Sequence, residues 1–178
     1  SQPDTADPLA LLGTSAAFRK AVDLAQKVAA TDASVMISGE SGTGKEMIAQ
    51  FIHKHSRRAN RKLVAINCAA LPENLLESEM FGYNKGAFTG AGEDRAGRFE
   101  AAAGGTLFLD EIGNISLQQQ AKLLSGLQNR QVTRLGSKQA INIDIRLICA
   151  TNLHIAELSN GHRIRKDLIC RITTGEIV

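Results

Sequence analysis

The 178-residue chain carries 21 basic and 18 acidic residues, a net charge of +3, and its 43% apolar content is enough for one well-buried core with little room for a second domain. So balanced a charge makes no electrostatic case for nucleic acid or a membrane surface, and no apolar run approaches the roughly 18 residues of a spanning helix. Cys68, Cys149 and Cys170 are odd in number, far apart and flanked by apolar residues, which points to reduced, buried thiols in a cytoplasmic protein rather than a disulfide framework.

In chain order, residues 1–10 hold two of the three prolines and read as a linker. From Ser15 the spacing of Ala17, Ala21, Leu24 and Val28 predicts a helix. A strand follows at Val35–Ser38, then a helix to about His55, a basic link (Arg57, Arg58, Arg61, Lys62) and a second strand at Leu63–Asn67. Pro72 opens a helix running to Phe81. Beyond a glycine-rich interval come a short helix at Arg98–Ala102, the strand Thr106–Leu109 and a long amphipathic helix from Ser116 to Asn129. Val132–Leu135 suggests a small hairpin strand, and Ile143–Ala150 a strand ending at Thr151 and Asn152. Apolar strands alternating with helices predict a parallel sheet covered on both faces, a three-layer α/β/α sandwich with five strands.

Residues 39–46, Gly-Glu-Ser-Gly-Thr-Gly-Lys-Glu, fit GxxxxGK between a strand and a helix. Gly39, Gly42 and Gly44 allow a tight turn whose backbone N–H groups face one anion, and Lys45 reaches the outer phosphates of a nucleoside triphosphate. The strand ending in Asp110 and Glu111 brings two carboxylates to the edge where ligands of parallel sheets bind. Adjacent strand residues face opposite ways, so Asp110 is assigned to Mg²⁺ and Glu111 to polarising a water; a simple helix cap is the alternative. Phe88, among the four glycines between Gly82 and Gly92, is a large apolar residue on an exposed loop and suggests a protein partner; folding back onto the core is the alternative. His53 and His55 project about 200° apart on a helix, which disfavours a shared metal and suggests a solvated face.

The phosphate loop, the segment GAFTGA (Gly86, Ala87, Phe88, Thr89, Gly90, Ala91), the block GGTLFLDEIG at 104–113 and the tail IRKDLICRI at 164–172 together resemble the AAA+ ATPase domain of bacterial enhancer-binding proteins, the NtrC-like activators of sigma-54 RNA polymerase. The resemblance covers residues 11–178 and implies an α/β P-loop ATPase subdomain hydrolysing ATP with Mg²⁺. Gly39, Glu40, Ser41, Gly42, Thr43, Gly44, Lys45, Glu46 and Asp110 would bind the nucleotide, with Asp110 on the metal. It implies that Phe88 and Thr89 grip the sigma-54 factor. It further implies that Asn67 restrains the catalytic Glu111, that Asn152 senses the outer phosphate, and that Arg165 and Arg171 reach the ATP of a neighbouring subunit in a ring, a hexamer in the full-length protein. DNA would be contacted only through a C-terminal domain, and no membrane is involved.

Two features depart from the pattern. Glu46 stands where most phosphate loops place a Ser or Thr ligand to Mg²⁺, although the family itself tends to carry Glu there, and Ile164 replaces an expected aromatic. The sequence ends where a helical lid would begin, so an excised subdomain with weak turnover is expected. A nucleotide-gated binding module, or a AAA+ remodeller of another protein or of DNA, are the alternative functions.

Overall fold

The structure, a computed structural model, describes residues 16–39, 43–152, 164, 165, 168 and 175–177. Its elements are α1 (Ala16–Ala29), β1 (Val35–Ser38), α2 (Thr43–Lys54), β2 (Leu63–Asn67), α3 (Glu73–Phe81), β3 (Gly82–Tyr83), β4 (Arg95–Ala96), α4 (Arg98–Ala101), β5 (Thr106–Asp110), α5 (Leu117–Asn129), β6 (Gln131–Thr133), β7 (Ala140–Asn142), β8 (Arg146–Thr151) and β9 (Gly175–Ile177). A short 3₁₀ turn, Ile112–Asn114, joins β5 to α5.

Five strands form a parallel sheet in the order β2-β5-β8-β1-β9. Their side chains divide by the two-residue period of a strand. Met36, Leu107, Leu109, Leu147 and Cys149 face a core completed by Leu76, Met80 and Phe81 of α3, Phe99 of α4 and Leu123 and Leu124 of α5. Val35, Ile37, Phe108, Ile148 and Ala150 face the other way, against Ala21, Ala25 and Ala29 of α1 and Ala49, Phe51 and Ile52 of α2. Burial on both faces is why these strands read as continuous apolar runs. The expected three-layer sandwich is therefore present. Its fifth strand is β9, for which the apolar pattern singled out no residues.

Ser116 caps α5, its Oγ accepting the Gln119 N–H at 3.3 Å, and this sets where the helix leaves the sheet. The expected strand at 143–150 begins three residues late, because Ala140–Asn142 folds back on β6 as a hairpin arm. His53 is also not on a solvated face. It is 7% exposed: Nε2–H donates to the Arg61 carbonyl at 2.9 Å, and Nδ1 accepts from the Thr106 hydroxyl at 2.8 Å. The last turn of α2 lies over the start of β5, and the 56–62 turn closes around the ring. His55 is exposed, as expected.

Cys68 and Cys149 are buried free thiols; burial, then the charges of Asp110 and Glu111, push the Cys68 thiol up to about 12. Cys170, Arg171 and residues 1–10, expected as a linker, lie outside the described residues. Among those described, no helix is long and apolar enough to cross a membrane.

Candidate nucleotide site

The β1, β8 and β5 tips lie side by side, so Gly39 after β1 and the acids Asp110 and Glu111 at the end of β5 face one another across the end of β8. Gly39 N–H donates to the Thr151 carbonyl at 3.1 Å, joining the start of the phosphate loop to the β8 tip. Glu40, Ser41 and Gly42 lie outside the described residues; Thr43, Gly44, Lys45 and Glu46 form the first turn of α2, whose N-terminal N–H groups favour an anion. Lys45 is 5% exposed, and its Nζ donates to the Gly39 carbonyl at 3.2 Å and to Glu111 Oε1 at 3.3 Å. Glu111 Oε2 accepts the Asn152 backbone N–H at 3.4 Å.

Glu111 is not a strand residue. Strand geometry stops at Asp110, and Glu111 takes a left-handed conformation, φ 56° and ψ 54°, with its N–H held by Asp110 Oδ1 at 2.9 Å. A non-glycine residue there carries about 1–3 kcal/mol of strain, of the kind concentrated at functional sites. The two acids do differ in setting, but by this turn and not by strand alternation.

Burial first, then the charge of Glu111, raises the Asp110 carboxyl above its ordinary value; Glu46 adds to the push, while Lys45 and the Glu111 N–H oppose it. Glu111 pairs with the Lys45 ammonium while Asp110 and the charge of Glu46 lie near it, an excess of negative charge that suits a divalent cation. Among the described residues no three acidic, His or Cys side chains form a metal site unaided. A Mg²⁺ at Asp110 would therefore take its remaining ligands from phosphate oxygens and water, its usual habit.

Asn67 does not hold Glu111 here. Its Oδ1 accepts the Ala69 N–H at 3.0 Å, and Lys45 and Asn152 hold the acid instead. In the β2–β5 register Asn67 is level with Asp110, and the left-handed turn carries Glu111 out of that line. Arg165 is exposed, and its backbone N–H donates to Gln120 Oε1 at 2.8 Å. Gln120, which is fully buried, went unread in the sequence although Gln119 and Gln120 stand four residues before Leu123 and Leu124 on the apolar stripe of α5.

GAFTGA lies between α3 and α4, entered through the two-residue ribbon of β3 and β4. Gly86 and Gly90 have φ of 85° and 98°, and Gly86 N–H closes the loop on the Ala91 carbonyl at 2.9 Å. Phe88 is 45% exposed, its ring edge-on to Tyr83 with centroids 4.9 Å apart, and Thr89 is exposed beside it. The tip of the β6–β7 hairpin supports the loop: Asn84 N–H donates to the Leu135 carbonyl at 3.0 Å and Leu135 N–H to that of Gly82 at 2.9 Å. Arg134 fixes the hairpin to α4 through a two-pronged pair with Glu100, at 2.9 and 2.8 Å.

A cleft of about 270 Å³ opens at the opposite end of the strands, where β1 and β8 begin, beside Asp32, Gly126, Arg130 and Asp144. Both of its acids are paired with Arg58, and it lies away from the strand tips that carry Lys45 and Glu111.

The phosphate-loop sequence after β1, the paired acids at the β5 tip and the loop inserted between α3 and α4 define a P-loop NTPase domain of the AAA+ class. The chain belongs to the family described as the Sigma-54 interaction domain, which it matches over residues 11–178. It is 51% identical to the transcriptional regulatory protein ZraR of Klebsiella oxytoca over 178 residues, 98% of this chain and 40% of that protein. It is also 51% identical to the Nif-specific regulatory protein of Rhizobium etli, over 94% of this chain and 29% of that one. The chain thus spans well under half the length of these curated relatives. A crystal structure of NtrX from Brucella abortus in complex with ATP superposes with a TM-score of 0.83 at 32% identity, covering 93% of this chain and 35% of that one.

Proposed function

We propose that this domain hydrolyses ATP with Mg²⁺ and uses the energy to remodel sigma-54 RNA polymerase at promoters. The observation that carries this reading is the Lys45–Glu111 contact at 3.3 Å, a phosphate-binding amine and a water-activating acid brought together by three neighbouring strand tips. Family membership and the ATP complex of NtrX support it.

ATP would lie over the N-terminus of α2, its β- and γ-phosphates drawing Lys45 away from Glu111. Glu111, released, accepts a proton from the attacking water, and the Asn152 N–H keeps the carboxylate aimed. Asn67, on the neighbouring strand, takes the acid when hydrolysis must wait. Asp110 would hold Mg²⁺, which neutralises charge on the phosphates when bound. Arg165 and Arg171 complete the site of a neighbouring subunit in a ring, probed by that subunit's γ-phosphate. One isolated subunit therefore turns over slowly. In this reading residues 11–178 form the ATPase subdomain and residues 1–10 a linker. Phe88 and Thr89 are the grip on sigma-54, and DNA is bound elsewhere in the full-length protein.

Phosphate release and sigma-54 pull-down with the full-length protein test both halves. Lys45→Ala should abolish nucleotide binding and both outputs. Phe88→Ala should spare hydrolysis and lose sigma-54; loss of hydrolysis in both variants would contradict the division of labour.

A further inference from the structure

We propose that Gln120 is a positioning residue that sets the backbone of Arg165 against the turn carrying Glu111. The inference rests on the reading of Arg165 as a residue acting on a neighbour's nucleotide.

Gln120 is fully buried in the first turn of α5. Its Nε2–H donates to the Ile115 carbonyl at 2.8 Å, and its Oε1 accepts the Arg165 N–H, also at 2.8 Å. Since a carbonyl only accepts and an N–H only donates, both ends of the amide are specified by their partners. Ile115 closes the turn that Glu111 opens: Asn114 N–H donates to the Glu111 carbonyl at 3.0 Å and Ile115 N–H to that of Ile112 at 3.1 Å. A path of hydrogen bonds and peptide links thus runs from the backbone of Glu111 to the backbone of the arginine that would serve the next site.

Ile164, 2% exposed, and Leu168, fully buried, seat the arginine segment in the same core as Ile112 and Ile115. These contacts fix depth, whereas the Gln120 bond fixes the height and rotation of the peptide that carries the exposed Arg165. Leucine at position 120 would continue the stripe of Leu123 and Leu124 without burying an amide, so packing alone does not account for a glutamine here. A donor and an acceptor on one short side chain are what this junction requires.

The test uses assembled full-length protein and four variants. Gln120→Met keeps the shape but neither hydrogen bond; Gln120→Glu, held as the neutral acid by its fully buried site, keeps both, its O–H donating to the Ile115 carbonyl and its C=O accepting from Arg165. Gln120→Met should lower kcat at least about tenfold with KM for ATP within about twofold, since the group lost acts on the transition state and not on nucleotide binding. Mixing it with Lys45→Ala subunits, which bind no nucleotide but carry intact arginines, should restore turnover at Gln120→Met sites beyond the sum of the parts. Mixing it with Arg165→Ala subunits should not. Amide exchange at Arg165 should quicken while Leu123 and Leu124 stay protected, and Gln120→Glu should keep kcat within about threefold.

Unchanged kcat in Gln120→Met, a loss that Lys45→Ala subunits do not relieve, or a loss in Gln120→Glu equal to that of Arg165→Ala would each overturn the proposal. Full hydrolysis by Arg165→Ala alone would instead overturn the reading of Arg165 on which it rests. Should Gln120→Met fail to assemble, Gln120→Glu decides.

Discussion

Lys45 Nζ bridges Glu111 Oε1 at 3.3 Å and the Gly39 carbonyl at 3.2 Å, so the amine expected to meet the phosphates is occupied by the carboxylate expected to activate water. In the proposed reaction the phosphates compete with Glu111 for this amine, and the carboxylate they displace is free for chemistry. Glu111→Gln removes the charge holding Lys45. It should tighten ATP binding by roughly two- to tenfold, because a charge-assisted hydrogen bond no longer competes. Turnover should fall at least about 10²-fold with the general base gone. Calorimetry and phosphate release check the two effects, and weaker binding by this variant would mean that the pair does not compete with nucleotide.

Gly136 has a φ of 75°, and a Cβ built on it would lie 2.7 Å from Ala87 Cβ and 2.9 Å from Ala87 Cα. Gly136→Val therefore imposes about 1–3 kcal/mol of backbone strain as well as a clash with the loop that bears Phe88. Faster amide exchange at Asn84 and Leu135 and reduced sigma-54 capture are expected, with nucleotide affinity unchanged. A matching loss of nucleotide affinity would show that the damage spreads beyond the loop.

At the N-terminal ends of β1 and β8, Arg58 donates to Asp32 at 2.9 and 2.7 Å and to Asp144 at 3.0 Å. The hydrogen bond from Arg58 holds the Asp32 carboxyl below its ordinary 3.8. A depressed carboxylate contributes stability that is fully present above 3.8 and is lost as pH falls through its lowered value. Thermal melts should thus show a loss of stability below pH 3.8 that is smaller in Asp32→Asn. An identical acid limb in both proteins would remove Asp32 from the account.

His53→Leu leaves two groups without the partner they have now, the Thr106 hydroxyl, fully buried, and the Arg61 carbonyl. Urea unfolding should show a cost of about 1–3 kcal/mol, whereas His55→Leu, on the exposed side, should stay within about 0.5 kcal/mol.

The contrast between these two histidines marks the limit of sequence reading. Leu107, Phe108 and Leu109 declare a strand buried on both faces because burial itself writes the pattern. Nothing around His53 announces that a later turn will close over it, since its partners lie 8 and 53 residues away. Glu111 was legible as an acid at a strand tip. Its left-handed backbone was not, because that conformation follows from how β5 meets the 3₁₀ turn and α5. β9 escaped for a simpler reason: three residues paired alongside β1 carry no period to detect. Gln120 did leave a trace, a polar residue on an apolar stripe, and only its partners reveal what the trace means.

The central claim is that nucleotide between Gly39 and Glu46 governs what the Phe88 loop holds. Capture of sigma-54 by the full-length protein, measured with ATP, with ADP and without nucleotide, tests it most directly. Capture should depend on the triphosphate and vanish in both Lys45→Ala and Phe88→Ala. Equal capture in all three nucleotide states would contradict the account.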